Sequence, residues 1–323
     1  MSQNGKAGNK AIFLFGPTAV GKTQLLSDFF SGTGEVVNAD SVQVYRHLDI
    51  GSAKATKDIT DRIPHHLIDI LDPWENYNVA DFIRLADEAC TGIWDSQKTP
   101  VISGGTAFYF KHFLYGLSDA PQSDPEIRST VALFIKDQGL DKAYDYLKIV
   151  DPLSAERINK NDGYRISRAI EVFRQTGKPL SSFALPTEPR NDMRILSIGL
   201  VRDKETLKKR IRLRVDIMFD QGIVKEIKEL LKMGANPSWQ SMQGIGYREF
   251  LDKVYAGKPE DSIRNLEALT SDDIAELKES ITMNSVHYAK RQMTFFRSFS
   301  DVHWTDPEDY QEIKDFIDCF IEQ

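Results

Sequence analysis

Gly16, Pro17, Thr18, Ala19, Val20, Gly21, Lys22 and Thr23 follow the pattern G-x-x-x-x-G-K-[ST], the plainest chemical signal in the chain. The two glycines let the backbone turn its N–H groups toward an anion. Lys22 reaches phosphate oxygens, and Thr23 stands where its hydroxyl can ligate Mg²⁺ at a helix amino terminus. The pattern specifies a polyphosphate and leaves the reaction open, because ATP, GTP and a prenyl pyrophosphate present similar oxygens. Asp40 follows a second apolar run, Glu35 to Asn38, at the strand end where open α/β sheets bind their ligands. A carboxylate there serves as a base, as a Mg²⁺ ligand, or as the cap of the next turn. Thr106, after Gly104 and Gly105, lies on the same edge and either caps its helix or meets a substrate.

These residues need a scaffold, and the pattern of apolar residues supplies one. Ala11 to Phe15 and Glu35 to Asn38 read as buried parallel strands on either side of a helix over Thr23 to Phe30. Val79, Phe82, Ile83, Ala86, Cys90, Ile93 and Trp94 fall at helical spacing, and Pro100 to Ser103 and Arg194 to Leu200 read as further strands. Helices are expected over Lys204 to Phe219, Val224 to Met233, Ile281 to Phe296 and, packed on the core, Pro307 to Glu322. The resulting fold class is α/β: a P-loop parallel-sheet core flanked by helices, with an inserted all-helical domain. The core is drawn at 1–116 and 191–323, and the insertion at 117–190.

Composition narrows the setting. No apolar run is long enough to span a bilayer and no signal-peptide pattern opens the chain, so a cytoplasmic monomer with no membrane partner is expected. The formal charge of −7 hides a basic stretch: Arg202 to Lys232 holds ten Lys/Arg against six Asp/Glu. A nucleic-acid site needs only such a local excess. Cys90 and Cys319 lack partners at metal-ligand spacing and read as buried thiols, and the adjacent His65 and His66 read as packing residues.

Several segments then occur in a telling order: Gly16 to Thr23, Asn38 to Tyr45, Asp49 to Lys54, Pro64 to Pro73, Gly104 to Thr106, Asn161-Asp162 with Arg165 and Arg168, Gly244 to Arg248, and Ala289 to Gln292. In these the chain resembles the bacterial tRNA dimethylallyltransferases, also called tRNA isopentenyltransferases, over nearly its whole length. The resemblance implies transfer of a dimethylallyl group from dimethylallyl pyrophosphate, with Mg²⁺, to N6 of the adenosine at position 37 beside the tRNA anticodon. It implies that Lys22 steadies the leaving pyrophosphate, that Asp40 is the base and that Thr106 assists, while Thr23 and Asp40 both stand as candidate ligands of the metal. It also implies a surface for the anticodon stem-loop formed by Asp40, Ser41, Val42, Gln43, Thr106, Arg128, Tyr164, Arg165, Ile166, Ser167 and Arg168. Gln243, Gly244, Ile245, Gly246, Tyr247, Arg248, Lys290, Arg291, Gln292 and Arg297 complete that surface.

Four positions depart from the family pattern: Val20 replaces a small hydroxyl residue, Phe295 a Trp, and Ser285-Val286 a Thr-Arg pair. Two other readings compete. A small-molecule kinase would use the same loop for ATP, and a nucleotide-gated RNA-binding protein would use it as a switch. The basic segments speak against the first and Asp40 against the second.

Overall fold

The structure, a computed structural model, describes residues 8–322. Its elements run β1 (Lys10–Phe15), α1 (Lys22–Phe30), β2 (Gly34–Asn38), α2 (Lys57–Arg62), β3 (His65–His66), α3 (Val79–Asp95), β4 (Thr99–Gly104) and α4 (Ala107–Tyr115). The insertion follows with α5 (Pro125–Gln138), α6 (Leu140–Val150), α7 (Pro152–Arg157) and α8 (Gly163–Thr176). The chain then adds β5 (Arg194–Leu200), α9 (Lys204–Asp220), α10 (Ile223–Lys232), α11 (Arg248–Val254), α12 (Pro259–Glu267), α13 (Ser271–Phe296), β6 (Val302–Thr305) and α14 (Tyr310–Glu322).

The six strands form one parallel sheet in the order β3-β2-β4-β1-β5-β6. Because strand side chains alternate between faces, both faces of a parallel sheet need cover, and β1 shows this directly. Phe13 and Phe15 enter one apolar cluster with Phe82 and Ala86 of α3 and Phe110 of α4. Ile12 and Leu14 enter the other with Leu25 and Leu26 of α1 and Ile313 and Ile317 of α14. An apolar side chain buried this completely stabilises by about 1.5–3 kcal/mol, so the sheet is a rigid base for the loops at its carboxyl edge.

The chain divides into two compact units, one running to Leu114 and resuming at Arg190, the other spanning Tyr115–Pro189. The second is all-helical and has its own apolar centre of Val131, Ala143, Leu147, Ala155, Ile166, Ala169 and Ile170. Helices α5, α7 and α8 are capped by Asp124, Asp151 and Asp162, whose carboxylates accept backbone N–H bonds in the first turn.

Three expectations are corrected. Helix α13 starts at Ser271 and not Ile281, because Thr270 and Asp273 form a capping box ahead of two polar turns. The terminal helix starts at Tyr310, and the short strand β6 precedes it. Cys319 is exposed, since α14 turns Ile313 and Ile317 inward and leaves Cys319 on the opposite face, whereas Cys90 is buried.

Candidate active site

At the carboxyl edge of β1 the loop Gly16–Thr23 is fixed by side chains from distant segments. A Cβ on Gly16 would lie 2.8 Å from the Leu200 carbonyl, so only glycine lets the loop pass the end of β5. Gly21 has φ 125° and Ala19 φ 62°, the tight backbone that turns amides inward. The outward carbonyls are tied down: Arg210 Nε donates to Ala19 O at 2.8 Å and Arg202 Nε to Val20 O at 2.9 Å. Lys22 Nζ donates to the carbonyls of Gly16 and Pro17 at 2.9 and 3.0 Å. Burial, with the Arg214 charge beside it, pushes the Lys22 ammonium down to about 8. Val20 is fully buried in the cluster with Leu14 and Leu25, so its departure from the family pattern alters core packing.

Arg214 is the chief residue that sequence reasoning missed. From α9 its guanidinium donates to Thr18 Oγ1 at 2.9 Å and to Ser52 O at 3.1 Å. Burial pushes its pKa down, and the Asp40 carboxylate acts in the opposite direction. A signal was available: Arg210 and Arg214 lie four apart in the basic stretch after β5, on one helix face. The 49–52 loop that receives Arg214 is itself organised by Glu226. That carboxylate accepts the N–H groups of Asp49, Ile50 and Gly51 and the Tyr247 hydroxyl.

Asp40 leaves β2 with Oδ1 accepting the N–H groups of Val42 at 2.9 Å and Gln43 at 3.3 Å. Oδ1 thus caps the turn, and neither of these two bonds uses Oδ2. The Gly104-Gly105-Thr106 turn is pressed against it: a Cβ on Gly104 would lie 2.2 Å from Ala39 O. Thr106 N donates to Ala39 O at 3.1 Å, and Thr106 Oγ1 accepts the Ser41 N–H at 3.0 Å. Thr106 thus holds the Asp40 turn. Tyr288 of α13 lies alongside, its hydroxyl pushed up to about 12 by burial and by the Asp40 carboxylate.

One cleft of about 780 Å³ is lined by Thr18–Thr23, Asp40–Gln43, Gly104, Gly105, Arg214, Gly244, Ile245, Tyr288 and Arg291. Among the described residues no group of three or more His, Cys, Asp or Glu is placed to hold a metal. Thr23 is exposed at the start of α1.

The residues expected to face RNA separate into two sets. Arg248, Lys290, Arg291 and Arg297 are exposed on the core, and Arg128, Tyr164 and Arg165 on the insertion. Four others are turned inward, their side chains engaged by the protein itself. Ile166 is in the insertion's apolar centre, and the Tyr247 hydroxyl is bonded to Glu226 and the Ser52 N–H. Gln292 is 3% exposed with both amide atoms bonded to protein. Arg168 donates to Ser123 Oγ and Pro121 O beside the buried Glu171, which also accepts from Ser167. Gly246, with φ 95°, is buried as well. Gln43 donates to Ser52 O at 3.1 Å and Gln243 to Pro237 O. His66 pairs with Glu35 on the sheet edge, away from the cleft lining.

A family model described as IPP transferase matches residues 43–299. The chain is 42% identical to a tRNA dimethylallyltransferase of Borrelia turicatae, over 97% of this chain and 99% of that relative. The chain belongs to the IPP transferase family. It is also 39% identical to tRNA dimethylallyltransferase 2 of Geotalea uraniireducens, over 94% of each. Among solved structures, the full-length tRNA isopentenylpyrophosphate transferase from Bacillus halodurans superposes with a TM-score of 0.64 at 34% identity, covering 97% of both chains. A eukaryotic dimethylallyltransferase captured acting on tRNA superposes with a TM-score of 0.75 at 25% identity, covering 97% of this chain and 80% of that one. The full-length relatives extend the family's coverage past the model's start at residue 43, across the phosphate loop and Asp40.

Proposed function

We propose that this protein transfers a dimethylallyl group from dimethylallyl pyrophosphate to N6 of adenosine 37 in tRNA, releasing pyrophosphate. The observation that carries the reading is that the phosphate loop, Arg214 and Asp40 open onto one cleft. In this chemistry the allylic carbon–oxygen bond breaks with its electron pair going to the pyrophosphate oxygen. The loop N–H groups not engaged within the protein, with Lys22 and Arg214, stabilise that developing charge. N6 forms the new carbon–nitrogen bond, and its proton passes to Asp40, whose orientation is fixed by the Val42 and Gln43 amides. The adenine must leave its stack to enter such a cleft. Exposed Arg248, Lys290, Arg291 and Arg297 on the core, and Arg128 and Arg165 on the insertion, attract the tRNA backbone.

Mg²⁺ fits this arrangement through the Thr23 hydroxyl, since Mg²⁺ usually takes few protein ligands and completes its shell with water and substrate phosphate. When bound it would neutralise charge on the leaving pyrophosphate. The test is incubation with total tRNA and dimethylallyl pyrophosphate carrying label in the dimethylallyl group, followed by nucleoside analysis. Label in a modified adenosine, with one pyrophosphate released per transfer, is the expected result. Phosphate transfer from ATP with no label entering tRNA would overturn the reading.

A further inference from the structure

The phosphate loop and the acceptor side of the cleft come from different segments, and one side chain joins them. Gln292 Oε1 accepts the Thr18 N–H at 2.9 Å, and Gln292 Nε2 donates to Gly105 O at 2.7 Å. The amide is buried, and its helix α13 also brings Tyr288, whose hydroxyl reaches the same Gly105 carbonyl at 3.3 Å. Space has been left for it: a Cβ on Gly105 would lie 2.5 Å from Gln292 Nε2 and 3.8 Å from Asp40 Oδ2. Glutamine suits both ends at once, because it carries an acceptor and a donor on one rigid group. Glutamate would lose the donor and set a negative charge against the Gly105 carbonyl.

We propose that Gln292 is a positioning residue that fixes the separation between the pyrophosphate loop and the Asp40–Thr106 acceptor site, and that turnover depends on it while substrate binding does not. This rests on the prenyl-transfer reading above. The physical reason is that reacting atoms must be held near contact distance, where a shift of about 1 Å costs on the order of 10²-fold in rate. Each half-site keeps its own anchors without the strut: Arg202, Arg210 and Arg214 hold the loop, and Ala39 and Ser41 hold the turn.

The test uses the full chain with dimethylallyl pyrophosphate and tRNA, and compares Gln292→Met, Gly105→Ala and the double variant. Single-turnover rate, donor Kd, tRNA Kd and Tm are measured for each. Gln292→Met is expected to lower the single-turnover rate about 10- to 100-fold while both Kd values stay within about twofold. Gly105→Ala should do the same by displacing the amide, and the double variant should be no slower than the worse single one. A lowered Tm with an unchanged rate per folded molecule would make Gln292 a packing residue and overturn the proposal. Tighter donor binding by Gln292→Met would overturn it too, showing that the amide competes with pyrophosphate for the Thr18 N–H. Independent effects adding in the double variant would do likewise. Absence of any transfer by the wild-type protein would instead be a failure of the prenyl-transfer reading.

Discussion

Arg214 of the core and Arg168 of the insertion both sit in basic helical segments, yet they are put to opposite uses. Arg214 donates to Thr18 and Ser52 at the rim of the reaction cleft. Arg168 donates to Ser123 and Pro121 and stands beside the buried Glu171, inside its own unit. The difference teaches that a basic residue in a segment shared with RNA-modifying relatives is not thereby an RNA contact. The deciding quantity is where the donors end: those of Arg214 reach Thr18 and Ser52 in the lining of the cleft, those of Arg168 reach Ser123 and Pro121 within the insertion, and Arg165 keeps an exposed side chain.

Substitutions can break this contrast. The largest effect is expected from Arg214→Met, which removes a cation from the leaving pyrophosphate. Single-turnover prenyl transfer should fall by about 10²–10³, while Tm changes little; a rate near that of the wild type would place Arg214 outside the chemistry. Arg168→Met should show the reverse. Leaving Glu171 without its cation should destabilise the insertion by about 2–3 kcal/mol, less than the full figure for a broken buried pair because Arg168 keeps part of its side chain in solvent. The salt dependence of tRNA binding should be unaltered. Arg165→Ala should leave Tm in place, weaken tRNA binding a few-fold and reduce the salt slope by about one counterion. If Arg168→Met lowers the slope and Arg165→Ala does not, the contrast is wrong.

Much of the scaffold was legible in the chain because its signals are local. A short apolar run such as Ile12 to Phe15, stopped by glycine, reads as a strand buried on both faces, and Gly16 and Gly21 mark the loop between strand and helix. Asp40 followed from its place after a strand and lines the cleft, whereas Thr106, whose place left helix capping open, holds the neighbouring Ser41 N–H. What stayed hidden depends on which way a helix faces. The segment Ala289 to Gln292 could be placed from sequence, but only packing shows Lys290 and Arg291 outward and Gln292 inward. Tyr247 and Glu226 escaped for the same reason: their shared hydrogen bond spans 21 positions and organises a loop far away in sequence. The first turns of helix α13 are polar and give no apolar period, and β6 leaves no signal because four residues at a sheet edge carry little pattern.

The central claim is that the loop Gly16–Thr23 holds a leaving pyrophosphate on carbon, not a nucleotide. Calorimetric titration of the protein with dimethylallyl pyrophosphate and with ATP, at several pH values, tests it most directly. The donor is expected to bind and ATP to bind far more weakly. With the Lys22 ammonium pushed down to about 8, the donor's negative charge should raise it again. Donor affinity should therefore be flat below pH 8, where Lys22 is already protonated, and should weaken above it by up to about tenfold per unit as binding takes up a proton. Binding of ATP tighter than that of dimethylallyl pyrophosphate, with no proton uptake by the donor complex above pH 8, would contradict the account.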